Sequence, residues 1–383
     1  MIPEPNRAAG LARLAEFAPR MGRHYAGGRN ADPGPGRHCD VSMLSGHLRH
    51  RLITESEAVG TALAAHGPRG AEKFIQEVFW RSYWKGFLEL RPSMWPAYRA
   101  RAARDYADRD AGAYARAVQG ETGIACFDAW VHELVETGWL HNHARMWFAS
   151  IWIFTLRLPW VLGAEFFLHH LVDADAASNT LSWRWVGGIQ TMGKHYLARA
   201  ENIARYTGGR FDPRGALDED AAPLAEQGPP PAVLLPPPDA IPQGRVALLL
   251  HADDLHIEGL PEFDVAAIAG ICLPEQRSVT GCGAVARRFT EAALADAMAR
   301  AEQRFGAPAR RVAPDEIAGW AAGLPIVTPH APVGWVADAL AGIPLHRFRR
   351  PWDAACWPLA QKGFFPFREA IPRLIGELRP TSP

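Results

Sequence analysis

The sequence predicts a chain of α plus α/β class: an all-helical first part followed by a Rossmann-like parallel α/β part. Three observations carry this. Across residues 1–208 apolar positions recur at three- and four-residue intervals and strand signals are absent. Residues 209–244, "GRFDPRGALDEDAAPLAEQGPPPAVLLPPPDAIPQG", are dense in Pro, Gly and acid and read as a semi-rigid linker or a strap across the surface. Beyond them, over 245–383, short apolar runs alternate with helical patterns, as in a parallel sheet covered by helices.

The helical periods fall at 44–64, 71–90, 125–136, 139–158 and 161–172. The expected strands are "RVALLLH" (245–251), "VAAIAGI" (265–271), "ARRVA" (309–313), "LPIVT" (324–328) and "LHRFRR" (345–350). Helical patterns at 285–304, 315–322, 332–341 and 364–378 alternate with most of them. There is no internal repeat, GxGxxG or P-loop.

Composition narrows the function classes. With 383 residues, 48% of them hydrophobic, the chain is long enough for two domains and a large core. Basic and acidic residues balance at 41 each, so attraction to a polyanion must come from a local patch. Five scattered cysteines without a CxxC pair point to free thiols in a reducing compartment and away from zinc or iron–sulfur. The first residues lack a signal-length apolar run, and "MWFASIWIFTLRLPWVLG" is interrupted by Arg157 and Pro159. The expectation is a soluble, cytoplasmic monomer with no membrane partner. The 14 tryptophans exceed what packing requires.

Chemistry gathers in the helical part. In "FIQEVFWRSYWKG", Glu77, Trp80, Arg81 and Trp84 fall at i, i+3, i+4 and i+7 and share one helix face. That face is either functional or a Glu77–Arg81 surface pair beside core tryptophans. In "TGWLHNHARMWFAS", the same spacing aligns Asn142, Arg145, Met146 and Ala149, a polar face that becomes small enough for a planar ligand, or simply a capped amphipathic helix. In "LVDADAASNTLSWRW", Asp173 and Asp175 precede a turn into a helix bearing Asn179 and Trp183 at i and i+4.

Taken with "SMLSGHL" (42–48) and "TGIACFDAW" (122–130), these segments, in this order over residues 40–206, resemble the flavin-binding domain of the DNA photolyase and cryptochrome family. The resemblance implies a bent FAD in an all-helical pocket. It implies that Asp173 pairs with Arg145 beside the flavin, that Asp175 lies at the polar edge of the isoalloxazine, and that Asn179 faces N5. Tyr25, Ser42, Leu44, Ser45, Phe74, Arg81 and Asn142 fall among the matching cofactor positions. Met43 stands where the family usually carries a basic residue, so the phosphates depend on backbone donors, Ser42, Ser45 and Tyr25. Ser82 replaces the usual acid after Arg81, which would reshape the adenine side.

For a member that splits cyclobutane pyrimidine dimers, the lesion cavity matches Glu77, Trp80, Asn142, Met146 and Trp185. The implied partner is UV-damaged DNA and the implied reaction is light-driven electron transfer from reduced FAD. An amide at Asn179 fits a repair enzyme, while a cryptochrome-like photoreceptor or a (6-4) photolyase, the latter left open by His141 and His143, are the alternatives. The electron chain matches Trp183 as proximal and Trp160 as middle member. Its outer member is Tyr106 or Tyr114, unless the route branches through Trp147 or Trp152.

The α/β part follows the helical one here, whereas the family normally begins with it, so the resemblance implies a permuted order with 245–383 folding beyond a long linker. "VALLLHADDLHIEGLP" resembles that unit's first strand and charged turn; "HADDLH" is a ligand site or a solvated turn, and no antenna chromophore is identified. Candidate phosphate contacts are Arg99, Arg101 and Arg104, then Lys194, Arg199 and Arg205, and "RFRR" at 347–350.

Overall fold

A computed structural model describes residues 2–383. Its first part holds α1 (Arg7–Phe17), α2 (Arg23–Gly28), α3 (Ser45–Arg49), α4 (Glu55–Gly70), α5 (Glu72–Glu89), α6 (Met94–Ala107) and α7 (Ala111–Gln119). It continues with α8 (Ala125–Thr137), α9 (Asn142–Ser150), α10 (Trp160–His170), α11 (Ala176–Val186) and α12 (Ala200–Tyr206). Local chemistry sets several boundaries. Thr54 and Glu57 cap α4 reciprocally, Glu57 N–H donating to Thr54 Oγ1 at 3.1 Å and Thr54 N–H to Glu57 Oε2 at 2.7 Å. Asp175 caps α11 by accepting from Ser178 N–H at 2.8 Å. The period expected as one helix over 44–64 is cut into α3 and α4 because Arg51 takes a left-handed backbone, φ +51°. The period over 139–158 leaves α9 through a wider turn at Ile151–Thr155 and stops before Pro159, which lacks the N–H that would continue it.

The second part holds β1 (Arg245–His251), β2 (Asp264–Ile271), α13 (Ala284–Phe305), β3 (Ala309–Arg311), α14 (Ile317–Ala321), β4 (Ile326–Pro329), α15 (Trp335–Ala339) and β5 (His346–Phe348). Three helices close the chain: α16 (Pro351–Cys356), α17 (Phe364–Glu369) and α18 (Ile371–Leu378). The last two replace the single helix expected over 364–378, dividing at Ala370 just ahead of Pro372. The strands form one parallel sheet in the order β3-β2-β1-β4-β5, within two residues of their expected boundaries. β1 is central and buried from Val246 to His251, which explains its unbroken apolar run.

Residues 209–244 run as a strap: Leu224 N–H donates to Gly187 O at 3.0 Å, Val233 N–H to Leu90 O at 2.8 Å, and Arg349 Nη1 to Pro236 O at 2.9 Å. The two parts also share one continuous apolar core, so the second does not stand apart beyond a linker. α16 and the closing helices return to α5, where a Cβ on Gly86 would come within 2.7 Å of Trp357 Cα. "HADDLH" is not a solvated turn: His251, Asp253 and Asp254 are buried against the helical part. No helix among the described residues is long and apolar enough to cross a membrane.

This packing buries neutral histidines. Burial, with the neighbouring Arg49 charge, pushes His50 from 6.5 down to about 3, and burial lowers His251 as well. The unfolded chain therefore binds protons that the native chain refuses once pH falls below about 6.5, so stability drops with acidification. Each such group contributes up to about 1.4 kcal/mol per pH unit. Urea denaturation at pH 7, 6 and 5 is expected to show a falling unfolding free energy; a flat profile over that interval would contradict the burial assignment.

Candidate functional site

A cavity of about 630 Å³ opens between α2, the 41–48 segment, α5, α9 and α11. The α5 stripe faces it with Glu77, Trp80, Arg81 and Trp84; α9 contributes Asn142, Arg145, Met146 and Ala149 from the opposite side. Asn179, Trp183 and Trp185 of α11 close the third side, and Tyr25, Ser42, Leu44, Ser45 and Phe74 complete the wall. Both helix faces singled out by spacing are thus cavity faces. The surface-pair reading of Glu77 and Arg81 is replaced, because each has another partner.

Arg81 Nη1 donates to Asp175 Oδ2 at 2.8 Å, and Ser178 Oγ donates to the same oxygen at 2.5 Å. With Oδ1 capping α11, the Asp175 carboxylate is committed inside the protein, and it is not among the cavity-lining residues. Burial pushes this carboxyl up, but the Arg81, Lys85 and Arg49 charges outweigh it and hold the group below its ordinary value. The charge that reaches the cavity is therefore Arg81, held in place by Asp175. Ser82 points elsewhere, accepting from Trp352 Nε1 at 2.8 Å.

Arg145 and Asp173 form a two-pronged pair, Nη1 to Oδ1 at 3.0 Å and Nη2 to Oδ2 at 2.9 Å, while Arg145 Nε donates to Leu140 O at 2.9 Å. Burial opposes the Asp173 charge and Arg145 overcomes it, leaving the carboxyl below its usual range. Asn179 Nδ2 donates to Ala164 O at 2.9 Å, which leaves Oδ1 as the amide atom available to the cavity. Glu77 accepts from Arg29 Nη1 at 2.6 Å, and burial raises its carboxyl in spite of that pair. Arg29 itself lines the cavity, and nothing in its sequence neighbourhood marked it.

Trp80 is stacked on Phe364 of α17 with ring centroids 3.6 Å apart and planes at 12°, while Trp185 lies against Tyr196 at 5.8 Å. His141 and His143 also line the cavity. His141 accepts from His143 N–H at Nδ1 and reaches Arg29 O with Nε2 at 3.0 Å; burial pushes it down to about 4.

Of the expected electron carriers, Trp183 lines the cavity and lies 6.3 Å from Trp152. Gly163 has no Cβ to collide with these two indoles. Trp152 is 6.1 Å from Tyr114, and Tyr114 is 5.9 Å from Tyr106, both partly exposed. Arg109 covers the Tyr106 ring at 3.7 Å. Trp160 instead packs 5.8 Å from Tyr98 and donates Nε1 to Glu226 at 3.2 Å, and Trp147 stacks 5.5 Å from Trp130.

The basic candidates separate. Arg101 and Arg104 pair with Asp105, Arg199 with Glu219 and Arg347 with Asp239, and Arg99 donates to Arg277 O at 3.4 Å. Arg350 is buried on Asp254 at 2.8 Å and Arg349 is tied to Pro236 O, so "RFRR" is a packing element and not a phosphate patch. Lys194 and Arg205 stay exposed. At the sheet, the crevice beyond the carboxyl ends of β1 and β4, where such folds place ligands, is filled by Arg49 and Lys85. Two spaces lined by Arg49 hold about 10 Å³ each, room for one water.

Residues 74–223 match the family model described as the FAD binding domain of DNA photolyase. A deoxyribodipyrimidine photo-lyase of Streptomyces griseus is 36% identical over 217 residues, covering 55% of this chain and 46% of that protein. One of Thermus thermophilus is 32% identical over 217 residues, covering 56% and 50%. A class III photolyase structure from Agrobacterium tumefaciens aligns with a TM-score of 0.43 at 25% identity, covering 53% of this chain and 43% of that one. The chain spans about half the length of the curated relatives it matches. Fold and cavity define a helical part that encloses a ligand-sized cavity, joined to a parallel α/β part. Over residues 74–223 the chain is similar to the FAD binding domain of DNA photolyase.

The residues present suit a flavin dinucleotide. The cavity lies within the 300–1,000 Å³ of small-molecule sites. Trp183 Nε1 is buried without a partner, Asn179 Oδ1 is an open acceptor, and Arg145 and Arg81 supply fixed positive charge. Met43 carries φ +60° in the 41–48 segment, whose Ser42 carbonyl is tied back by Arg13 Nε at 2.9 Å, giving the wall a fixed shape without a basic side chain. Arg145→Ala strands the buried Asp173 charge, a loss of about 3–5 kcal/mol. Flavin content read as the 450/280 nm absorbance ratio should fall sharply in Arg145→Ala and Asp173→Ala; stoichiometric FAD in both would contradict the assignment.

Proposed function

We propose that the chain is a light-driven DNA repair flavoprotein that splits cyclobutane pyrimidine dimers flipped out of UV-damaged DNA. The observation that carries this reading is that Glu77, Trp80, Asn142, Met146 and Trp185, drawn from three helices, all face one cavity with the Arg145–Asp173 pair and Asn179. Reduced FAD, when bound, supplies an electron on photoexcitation and takes it back after the ring has opened. The chain's own residues bind and orient. Trp80 and Trp185 offer flat apolar walls to unstacked pyrimidines, and Met146 fills the irregular space between polar groups. Glu77, whose carboxyl is raised by burial in spite of Arg29, is placed to hydrogen-bond base edges. Asn179 Oδ1 presents an acceptor to an N–H, which suits a flavin in reduced form.

The histidines weigh against (6-4) chemistry as the main activity. That chemistry calls for a protonated imidazole, whereas His141 is held neutral down to about 4 with both nitrogens engaged. For electron supply, the file Trp183, Trp152, Tyr114 and Tyr106 leads from the cavity towards solvent and supports a route that bypasses Trp160. An oxidised tyrosine at its end would release its phenolic proton to water and be reset by an external thiol. We read residues 1–208 as the FAD-binding unit, 209–244 as its strap and 245–383 as an α/β unit that buttresses it.

Purified, chemically reduced protein should repair a thymine-dimer oligonucleotide under blue light. Glu77→Gln should keep FAD and lose more repair per absorbed photon than dark affinity, and Met146→Ala should lose mainly affinity. Equal binding of damaged and undamaged DNA with repair of neither lesion would favour a photoreceptor.

The electron route has its own check. Trp183→Phe and Trp152→Phe are each expected to slow photoreduction by thiol at least tenfold while repair by pre-reduced protein persists. Wild-type photoreduction in Trp152→Phe, with Trp160→Phe impaired, would restore the Trp160 route.

A further inference from the structure

We propose that the segment Lys362–Arg368, at the start of α17, forms a lip of the cavity and contacts the DNA duplex beside the flipped-out base; this rests on the lesion-binding reading above. Four observations lead there. Phe364 lies against the indole of Trp80 with centroids 3.6 Å apart, and Trp80 is a wall of the cavity, so the closing helices of the chain back that wall directly. The segment is also pinned to α5 by Tyr83 Oη, which donates to Lys362 O at 2.9 Å, and just before it Gln361 O accepts from Arg91 Nη2, beyond the end of α5, at 2.6 Å. Phe365, one residue from the stacked ring, is 69% exposed, so its ring is open to a partner. Lys362 is exposed too, and the Arg368 guanidinium lies 5.1 Å from the Phe365 ring; neither cation has a carboxylate within ion-pair distance among the described residues.

An aromatic tip flanked by two unpaired cations is the chemistry of a base stack bordered by phosphates. Consecutive Cα atoms are about 3.8 Å apart, so Phe365 is anchored within a side-chain length of the residue that props Trp80. A duplex that sends a base past Trp80 leaves a gap in its own stack, and an apolar side chain at the cavity edge can fill such a gap and offset part of the unstacking cost. Phe364 is a positioning residue: it covers one surface of Trp80 and fixes the plane of that wall. The sheet part thereby contributes to substrate contact through its closing helices, although its own ligand crevice is filled.

The test uses the full chain with its FAD, in the dark, with an end-labelled duplex carrying one thymine dimer, the same duplex undamaged, and the dimer in a single strand. Phe365→Ser should weaken the damaged duplex about five- to tenfold. Binding of the single-stranded dimer, which has no stack to fill, should be unchanged. Lys362→Ala combined with Arg368→Ala should lower the slope of log affinity against log salt by about two. Flavin content should match wild type in all of them. Wild-type duplex affinity and slope in these variants, with wild type itself selecting the damaged duplex, would overturn the lip while leaving the reading of the cavity intact. Wild-type protein that holds FAD yet does not distinguish damaged from undamaged DNA would overturn that underlying reading.

Discussion

The structure turns on a buried guanidinium. Arg51 sits in the left-handed turn between α3 and α4, 2% exposed, and holds three carboxylates, one local and two from distant stretches of chain: Glu55 at 3.3 Å, Asp254 at 3.0 Å and Asp353 at 2.5 Å. Burial of such a charge would be prohibitive alone, and the three carboxylates outweigh it, holding Arg51 well above its ordinary value. Part of the surplus negative charge is met by Arg350, which grips Asp254 at 2.8 Å. Removing one partner would strand the others in a low-dielectric interior, at a cost of about 3–5 kcal/mol. The clamp therefore fixes where the turn after β1, the α16 helix and the α3–α4 corner meet.

The cavity inherits its shape from that clamp. Arg49, two residues before Arg51, donates Nε to Ala174 O at 2.8 Å and pairs with Asp253 at 2.5 Å. Ala174 lies between Asp173, which orients Arg145, and Asp175, which orients Arg81. One arginine thus ties the sheet part to the loop that places both cavity cations. The carboxyl-end crevice of the sheet, a usual place for a ligand, is spent on this connection. The sheet part packs against the helical part in one core, and its closing helices prop Trp80.

Much of this was legible in the sequence where the signal is local. Helical and strand periods placed β1, β2, α5 and α13 within two residues, and the i, i+3, i+4, i+7 stripe of α5 identified a cavity wall. Partners distant along the chain were not legible. Arg51 and Asp353 are 302 positions apart, Arg29 and Glu77 are 48 apart, and neither spacing has a periodicity. The same reason hid the fate of Asp175: its motif fits a ligand carboxylate, but whether its lone pairs are free depends on Arg81, 94 positions away. "RFRR" read as a phosphate contact and "HADDLH" as a ligand site or a solvated turn because each is charged and short, yet they meet across the clamp as Arg350 and Asp254. Of the two branches the sequence left open, through Trp147 or Trp152, only the ring distances favour the proposed one through Trp152, which the order of tryptophans does not encode.

If the clamp makes cavity and sheet one mechanical unit, flavin binding must be felt across it. Amide hydrogen exchange of the full chain, stripped of flavin and then reloaded with FAD, tests this most directly. The account predicts that FAD slows exchange at Ala174–Asn179 and, in step, at His251–Leu255, where Leu255 N–H donates to His50 O at 2.9 Å. Protection confined to the helical part, with His251–Leu255 exchanging at the same rate with and without FAD, would contradict it.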